Sequence, residues 1–249
     1  MMTRSHAVLV GCLLLVGCSD DAATPLTEPA LEPQLAVLPA LDSTSSIGAG
    51  AQHACALDTL GEAWCWGSNQ LQQLGRAPAH LCDGVPCSWR PLRVIGGHEF
   101  TQLSAGSTHT CAVQAVTGEA WCWGAGGDGR LGNRATGNSA RPVIVDAGVQ
   151  FTQVSAGTAH TCGLATNGRI WCWGHGVSGQ AGRDYTTALV PRVLPGLRTY
   201  RMVSAGADHT CAIDANADAW CWGGGFQGQL GDSLMYGGST TSPVRVNGP

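Results

Sequence analysis

The 249-residue chain contains no lysine; all thirteen basic residues are arginine. That absence excludes Schiff-base catalysis and the Gly-Lys-Ser/Thr phosphate loop, both of which need a lysine ammonium group. Charge of either sign is scarce, at 12% of residues, so polarity at the surface must come from Ser, Thr, Asn, Gln and the backbone. Acids outnumber arginines seventeen to thirteen. Nucleic acid is therefore not an expected partner, because its binding rests on a basic footprint. No apolar run is long enough to cross a bilayer. The run AVLVGCLLLVG has eleven residues, whereas a spanning helix needs about 20.

That run and the basic start before it, MMTRSH, read instead as a secretory signal over residues 1–17. It ends in Leu15-Val16-Gly17-Cys18, which resembles the lipobox of bacterial lipoproteins. The resemblance implies cleavage before Cys18, acylation of its thiol, and, with Ser19 next, sorting to the outer membrane. The alternative is an ordinary cleaved signal with an incidental cysteine. Residues 18–43 carry Pro25, Pro29, Pro33 and Pro39 among acidic residues and are expected to be an extended tether.

The remaining residues, 44–249, contain one unit four times. The copies read SIGAGAQHACALDTLGEAWCWG, LSAGSTHTCAVQAVTGEAWCWG, VSAGTAHTCGLATNGRIWCWG and VSAGADHTCAIDANADAWCWG, in units of about 44–95, 96–146, 147–195 and 196–249. A glycine-rich turn follows each WCWG, and each unit closes on a proline and a branched residue: Pro91 with Val94, Pro142 with Val145, Pro191 with Val193, Pro243 with Val246. Four short strand candidates per unit, with Gly, Pro and Thr interrupting every helical window, predict an all-β fold. Each unit is then a four-stranded antiparallel blade of a β-propeller.

These repeats resemble those of the regulator of chromosome condensation family, and more narrowly a bacterial envelope branch with cysteines in each blade. The motifs carrying the resemblance are VSAGxxHTCAL, WCWG, GxxGQLG and Pro-x-x-Val, and they cover residues 44–249. The resemblance implies a propeller, usually of seven blades. Four blades leave three arrangements open: a truncated product, an open arc, or half of an eight-bladed homodimer. Guanine nucleotide exchange comes with the family name alone, since no residue matches an exchange motif. A secreted branch that inhibits β-lactamases through its loops shows that the fold can serve binding.

Hairpin geometry gives the cysteines a role. Pairing Cys162 with Cys172 sets Gly163 opposite Trp171 and Leu164 opposite Ile170, and leaves Thr166-Asn167-Gly168 as the turn. Cys55 and Cys65, Cys111 and Cys122, and Cys211 and Cys221 follow the same register. Directly opposite residues lie close enough for a disulfide, and an exported protein meets an oxidising compartment. Cys82 and Cys87 then pair across an insert in the first copy. The competing reading of the His-x-Cys motifs is metal. No Cys-x-x-Cys spacing supports it, so neither metal nor cofactor is expected. The paired tryptophans of WCWG are expected on the opposite strand face from the cysteine, packing between blades. His53, His109, His160 and His209 are expected on the cysteine face, bonding to the neighbouring blade.

No catalytic constellation emerges. Residues that recur in every unit belong to the architecture, so function is expected in the non-repeating loops. The insert with His80, Asp83, Trp89 and Arg90 is the candidate contact loop, an exposed aromatic beside charges; an inert, disulfide-closed ornament is the equal alternative. The sequence thus predicts a non-enzymatic scaffold, lipid-anchored in the bacterial envelope. Its expected partner is an unknown protein or an envelope glycan. The alternative is a propeller lyase or hydrolase with an unidentified channel site.

Overall fold

The computed structural model describes residues 46–77, 80–233 and 238–248. The proposed signal, Cys18 and the whole of the tether lie outside the described residues. Among the described residues, four antiparallel sheets succeed one another and do not close into a ring. Blade one contains β1 (Ile47–Ala49), β2 (His53–Leu57), β3 (Ala63–Ser68), β4 (His80–Cys82) and β5 (Val85–Arg93), ordered β1-β2-β3-β5-β4. Blade two contains β6 (Phe100–Ala105), β7 (His109–Gln114), β8 (Ala120–Gly124) and β9 (Ser139–Ile144). Blade three contains β10 (Phe151–Ala156), β11 (His160–Ala165), β12 (Ile170–Gly174) and β13 (Ala188–Val193). Blade four contains β14 (Tyr200–Ala205), β15 (His209–Asp214), β16 (Ala219–Gly223) and β17 (Thr240–Arg245).

Blade one departs from four strands because the insert is itself a β-hairpin, β4 paired with β5, and not a loop. The proline that closes each unit has a local cause. In every blade the last strand bulges against the third: Cys122 pairs Val143 and Gly124 pairs Ser139, so the outer strand spends two extra residues. Pro91, Pro142, Pro191 and Pro243 sit in that bulged stretch, where a missing N–H is tolerated.

The central hairpins adopt the predicted register, with Cys162 opposite Cys172, Gly163 opposite Trp171 and Leu164 opposite Ile170. Gly61 (φ +80°) and Gly168 (φ +77°) close their turns in the left-handed region that glycine enters without a Cβ clash. Copy four has no glycine there, and Ala217 takes φ +70° instead.

Each blade has two unlike faces. The front face carries the cysteines and meets the next blade, and the rear face carries the tryptophans and meets the previous one. Cys55, Cys65, Leu57, Leu74 and Val94 of blade one pack against Leu103, Ala112 and Trp123 of blade two. The same pattern joins blade two to Phe151, Val154 and Trp173, and blade three to Tyr200, Val203 and Trp222. The core is therefore three slabs between blades. The tryptophans divide accordingly: Trp123, Trp173 and Trp222 are wholly buried, whereas Trp64, Trp66, Trp121, Trp171 and Trp220 are partly exposed.

Candidate interaction surface

The scaffold that presents the insert is held by three kinds of contact. Disulfides join Cys55–Cys65, Cys111–Cys122, Cys162–Cys172 and Cys211–Cys221, each with Cα atoms 4.1 Å apart. The sulfurs of the first three pairs lie inside the slabs, which keeps reductants out; Cys211, on the front of blade four, which no other blade covers among the described residues, is partly exposed. A loop of this length stabilises by roughly 2–3 kcal/mol in the chain-entropy account.

The histidines form the second contact. His53 Nε2 lies 2.9 Å from Thr110 Oγ1, His109 Nε2 2.8 Å from Thr161 Oγ1, and His160 Nε2 2.9 Å from Thr210 Oγ1. The Thr161 hydroxyl donates back to Arg130 O at 3.1 Å and that of Thr210 to Gln180 O at 3.0 Å, both carbonyls in the preceding blade. Each threonine has thus spent its proton, so His109 and His160 must donate through a protonated Nε2. Nδ1 of His53, His109 and His160 is buried without a partner. A second proton would stand there unsolvated. Burial accordingly lowers the pKa of His53 to about 4 and of His160 to about 3, and holds His109 well below the ordinary value.

Glutamines make the third. Gln153 donates to Val203 O and accepts from Val203 N–H, each at 3.1 Å. Gln102 does the same to Val154 at 3.0 and 2.9 Å. The sequence reading missed these clamps, although Phe-Thr-Gln recurs in copies two and three. It also missed Asp58 and Asp214. Asp58 accepts N–H bonds from Leu60, Glu62 and the Trp64 indole at 2.8–2.9 Å; Asp214 accepts from Asn216, Asp218 and Trp220 and pairs with Arg198. Burial pushes the Asp214 carboxyl up, but these donors outweigh it and hold it below the ordinary range. The findable signal was an Asp six residues before the first Trp in copies one and four. Asp58→Ala leaves three donors unpaired at a buried site and is expected to cost about 3 kcal/mol, read as a lower urea midpoint; Asp58→Asn should recover part of it.

On this frame the insert hairpin stands at the outer edge of blade one. Cys82 and Cys87 are bridged, with Cα atoms 5.7 Å apart, and Asp83 and Gly84 form a two-residue turn, both at positive φ. His80 and Trp89 stack with ring centroids 4.3 Å apart and planes 20° from parallel. Trp89 stays 62% exposed and Leu81 65% exposed. The four candidate residues therefore do not form one cluster. The structure brings His80 and Trp89 together, sets Asp83 at the far end of the hairpin, and places an exposed Arg90 on the bulge, its backbone N–H donating to the Ser88 hydroxyl. Trp89 occupies a position that is Ala140, Leu189 and Thr241 in the other blades, so its indole is no part of the repeat. Among the described residues no group of three or more His, Cys, Asp or Glu is placed to hold a metal ion.

Sheets of this order, stacked front to rear through a repeated polar and tryptophan layer, define a β-propeller repeat scaffold. A family model described as the regulator of chromosome condensation (RCC1) repeat matches residues 61–113, 117–164 and 167–213, and a second model of that repeat matches 45–73, 151–180 and 203–229. The chain belongs to the RCC1-repeat family. It is 30% identical over 102 residues to the human E3 ubiquitin-protein ligase HERC2, covering 41% of this chain and 2% of that protein. It is 34% identical over 117 residues to the ultraviolet-B receptor UVR8 of Arabidopsis thaliana, covering 46% of this chain and 26% of the relative. Among solved structures, a chain in the complex of Kap60 with yeast RCC1 (Prp20) superposes with TM-score 0.69 at 25% identity, over 82% of this chain and 49% of that one. Human WBSCR16 superposes with TM-score 0.72 at 21% identity, over 83% and 54%. The chain thus spans about half of these solved chains and far less of the two sequence relatives.

Proposed function

We propose that the chain is an exported, lipid-anchored, non-enzymatic binding scaffold of the bacterial envelope, and that the hairpin of β4 and β5 is its contact surface for a protein or an envelope glycan. The observation that carries this reading is the His80–Trp89 stack on a disulfide-clamped hairpin that, among the described residues, no other blade possesses. A solvent-exposed indole costs stability in isolation and gains most when a partner covers it. The disulfide and the stack fix the ring before contact, so little side-chain entropy is lost on binding. The signal-like start and Cys18 support export and anchoring.

The test is capture of envelope proteins and glycans by the purified chain, compared with Trp89→Ala and His80→Ala. Deleting residues 79–89 would not serve, because Ser88 and Cys87 pair with Gly67 and Ser68 in the blade itself. Trp89→Ala should weaken capture at least tenfold with the far-UV spectrum unchanged, as expected of an aromatic anchor. Equal capture by both variants and the unaltered chain would remove the hairpin from the function. Metabolic labelling with a palmitate analogue tests the anchor separately, and Cys18→Ser should abolish the label.

A further inference from the structure

We propose that the chain associates head to tail with a second copy of itself, the front face of blade four receiving the rear face of blade one. This proposal makes no use of the insert hairpin, so it stands or falls apart from the function proposed above.

The three internal junctions define what a junction requires. In each, a wholly buried tryptophan of one blade lies over a left-handed glycine and a branched side chain of the blade before it. Trp123 lies on Gly75 beside Val94, Trp173 on Gly132 beside Val145, and Trp222 on Gly182 beside Leu194. A Cβ on any of these glycines would come within 2.2–3.0 Å of both neighbours, so the slot is shaped for the indole. Blade four carries the same slot. Gly231 (φ +64°) has its Cβ direction 2.9 Å from Val246, but no indole lies there, and Val246 is partly exposed where Val94, Val145 and Leu194 are buried. Blade one carries the matching knob, Trp66, partly exposed with no blade behind it among the described residues. One face is a hole without a knob, and the other is a knob without a hole.

The polar groups agree in part. Trp173 and Trp222 donate through Nε1 to Arg130 O and Gln180 O, and Gln229 O holds the corresponding position in blade four. Ser104 and Ser155 accept the N–H of Ala156 and Ala205 from the next blade; exposed Ser204 and, on blade one, Ala49 occupy the same two places. Two positions depart from the internal pattern. Met202 stands where Gln102 and Gln153 clamp the next blade, and Ala54 where Thr110, Thr161 and Thr210 receive a histidine. Gln102 reaches Val154, whose counterpart in blade one is Ile47, so Met202 (48% exposed) and Ile47 (71% exposed) would face each other across the junction. An apolar contact there replaces the amide clamp, while Ala54 leaves His209 without a hydroxyl. The junction between copies is therefore weaker than those within the chain, and its population depends on concentration. It is also heterologous, joining two different faces.

Sedimentation equilibrium of the purified chain from about 1 to about 100 µM spans the affinity range of a reversible junction. The mean mass should rise with concentration. Trp66→Ala removes the knob and Val246→Asp blocks the slot; each alone should remain at the mass of one chain, with an unchanged far-UV spectrum. An equimolar mixture of the two should recover a two-chain species, because Trp66 of the Val246→Asp chain enters the intact slot of the Trp66→Ala chain. Ala54→Thr restores the hydroxyl and should tighten association about fivefold. A single-chain mass for the unaltered protein throughout the range, or no recovery in the mixture, would overturn the proposal.

Discussion

Lowering the pH from 7.5 to 5 is expected to remove about 4 kcal/mol of stability through His53 and His160, roughly 2 kcal/mol from each, with a further loss of the same sign from His109. All three are buried, and each offers an Nδ1 with no acceptor in reach, so the folded chain resists the second proton. The unfolded chain takes it up near pH 6.5. Because the folded-state pKa values are lowered, the stabilisation is complete above the unfolded value and is lost as pH falls toward about 4 for His53 and about 3 for His160. A domain is typically stable by about 5–15 kcal/mol, so the loss is large enough to show as acid unfolding above the carboxylate range. Urea titrations at pH 7.5, 6 and 5 measure it. His160→Gln should reduce the pH slope by about one third while lowering stability at pH 7.5. A stability that stays level between pH 7.5 and 5 would mean that the imidazoles accept protons without unfolding the slabs.

Trp173→Ala is expected to cost about 3–5 kcal/mol, the range for removing a large buried aromatic, whereas Trp66→Ala in dilute solution should cost less than about 1 kcal/mol. The two residues hold the same place in the WCWG motif. Trp173 is wholly buried on Gly132 and Val145 and donates to Arg130 O at 2.9 Å; Trp66 is partly exposed and, among the described residues, faces no preceding blade. Chemical-denaturation midpoints of the two variants, each below 1 µM to suppress association, decide the matter. Equal losses would place the energy of these residues within the blade instead of between blades.

The difference between those two tryptophans marks where the sequence ceases to be sufficient. Within a repeat, the relevant partners are ten or eleven residues apart in a hairpin. Strand alternation and a short turn then fix which thiol meets which, so the cysteine pairs, the Gly163–Trp171 register and the position of Gly168 were all readable. The period of the copies likewise determined the propeller class. Between repeats the partners are some fifty residues apart: His53 finds Thr110 across 57 positions, and Gln102 finds Val154 across 52. A repeat pattern says that every blade has a histidine and a threonine, but it assigns neither to a neighbour. Only stacking the sheets shows that the front of one blade serves the rear of the next. Ala54 and Met202 gain meaning in the same way, as departures at faces that no other blade covers among the described residues.

The insert belongs on the same side of that line. Its cysteine pair and its tryptophan stood out in the sequence, and a loop was the natural reading of a segment that breaks the period. The fold makes it a fifth strand, because the bulged outer strand of blade one extends far enough to pair with His80–Cys82. Thus the order of residues along the chain determined what each blade is and how its thiols are joined, through contacts made within a single hairpin. The tertiary structure decided which faces meet, which indoles are buried and which ring stays exposed. Those outcomes depend on the packing of surfaces that lie far apart in the chain and are brought together only when neighbouring sheets stack.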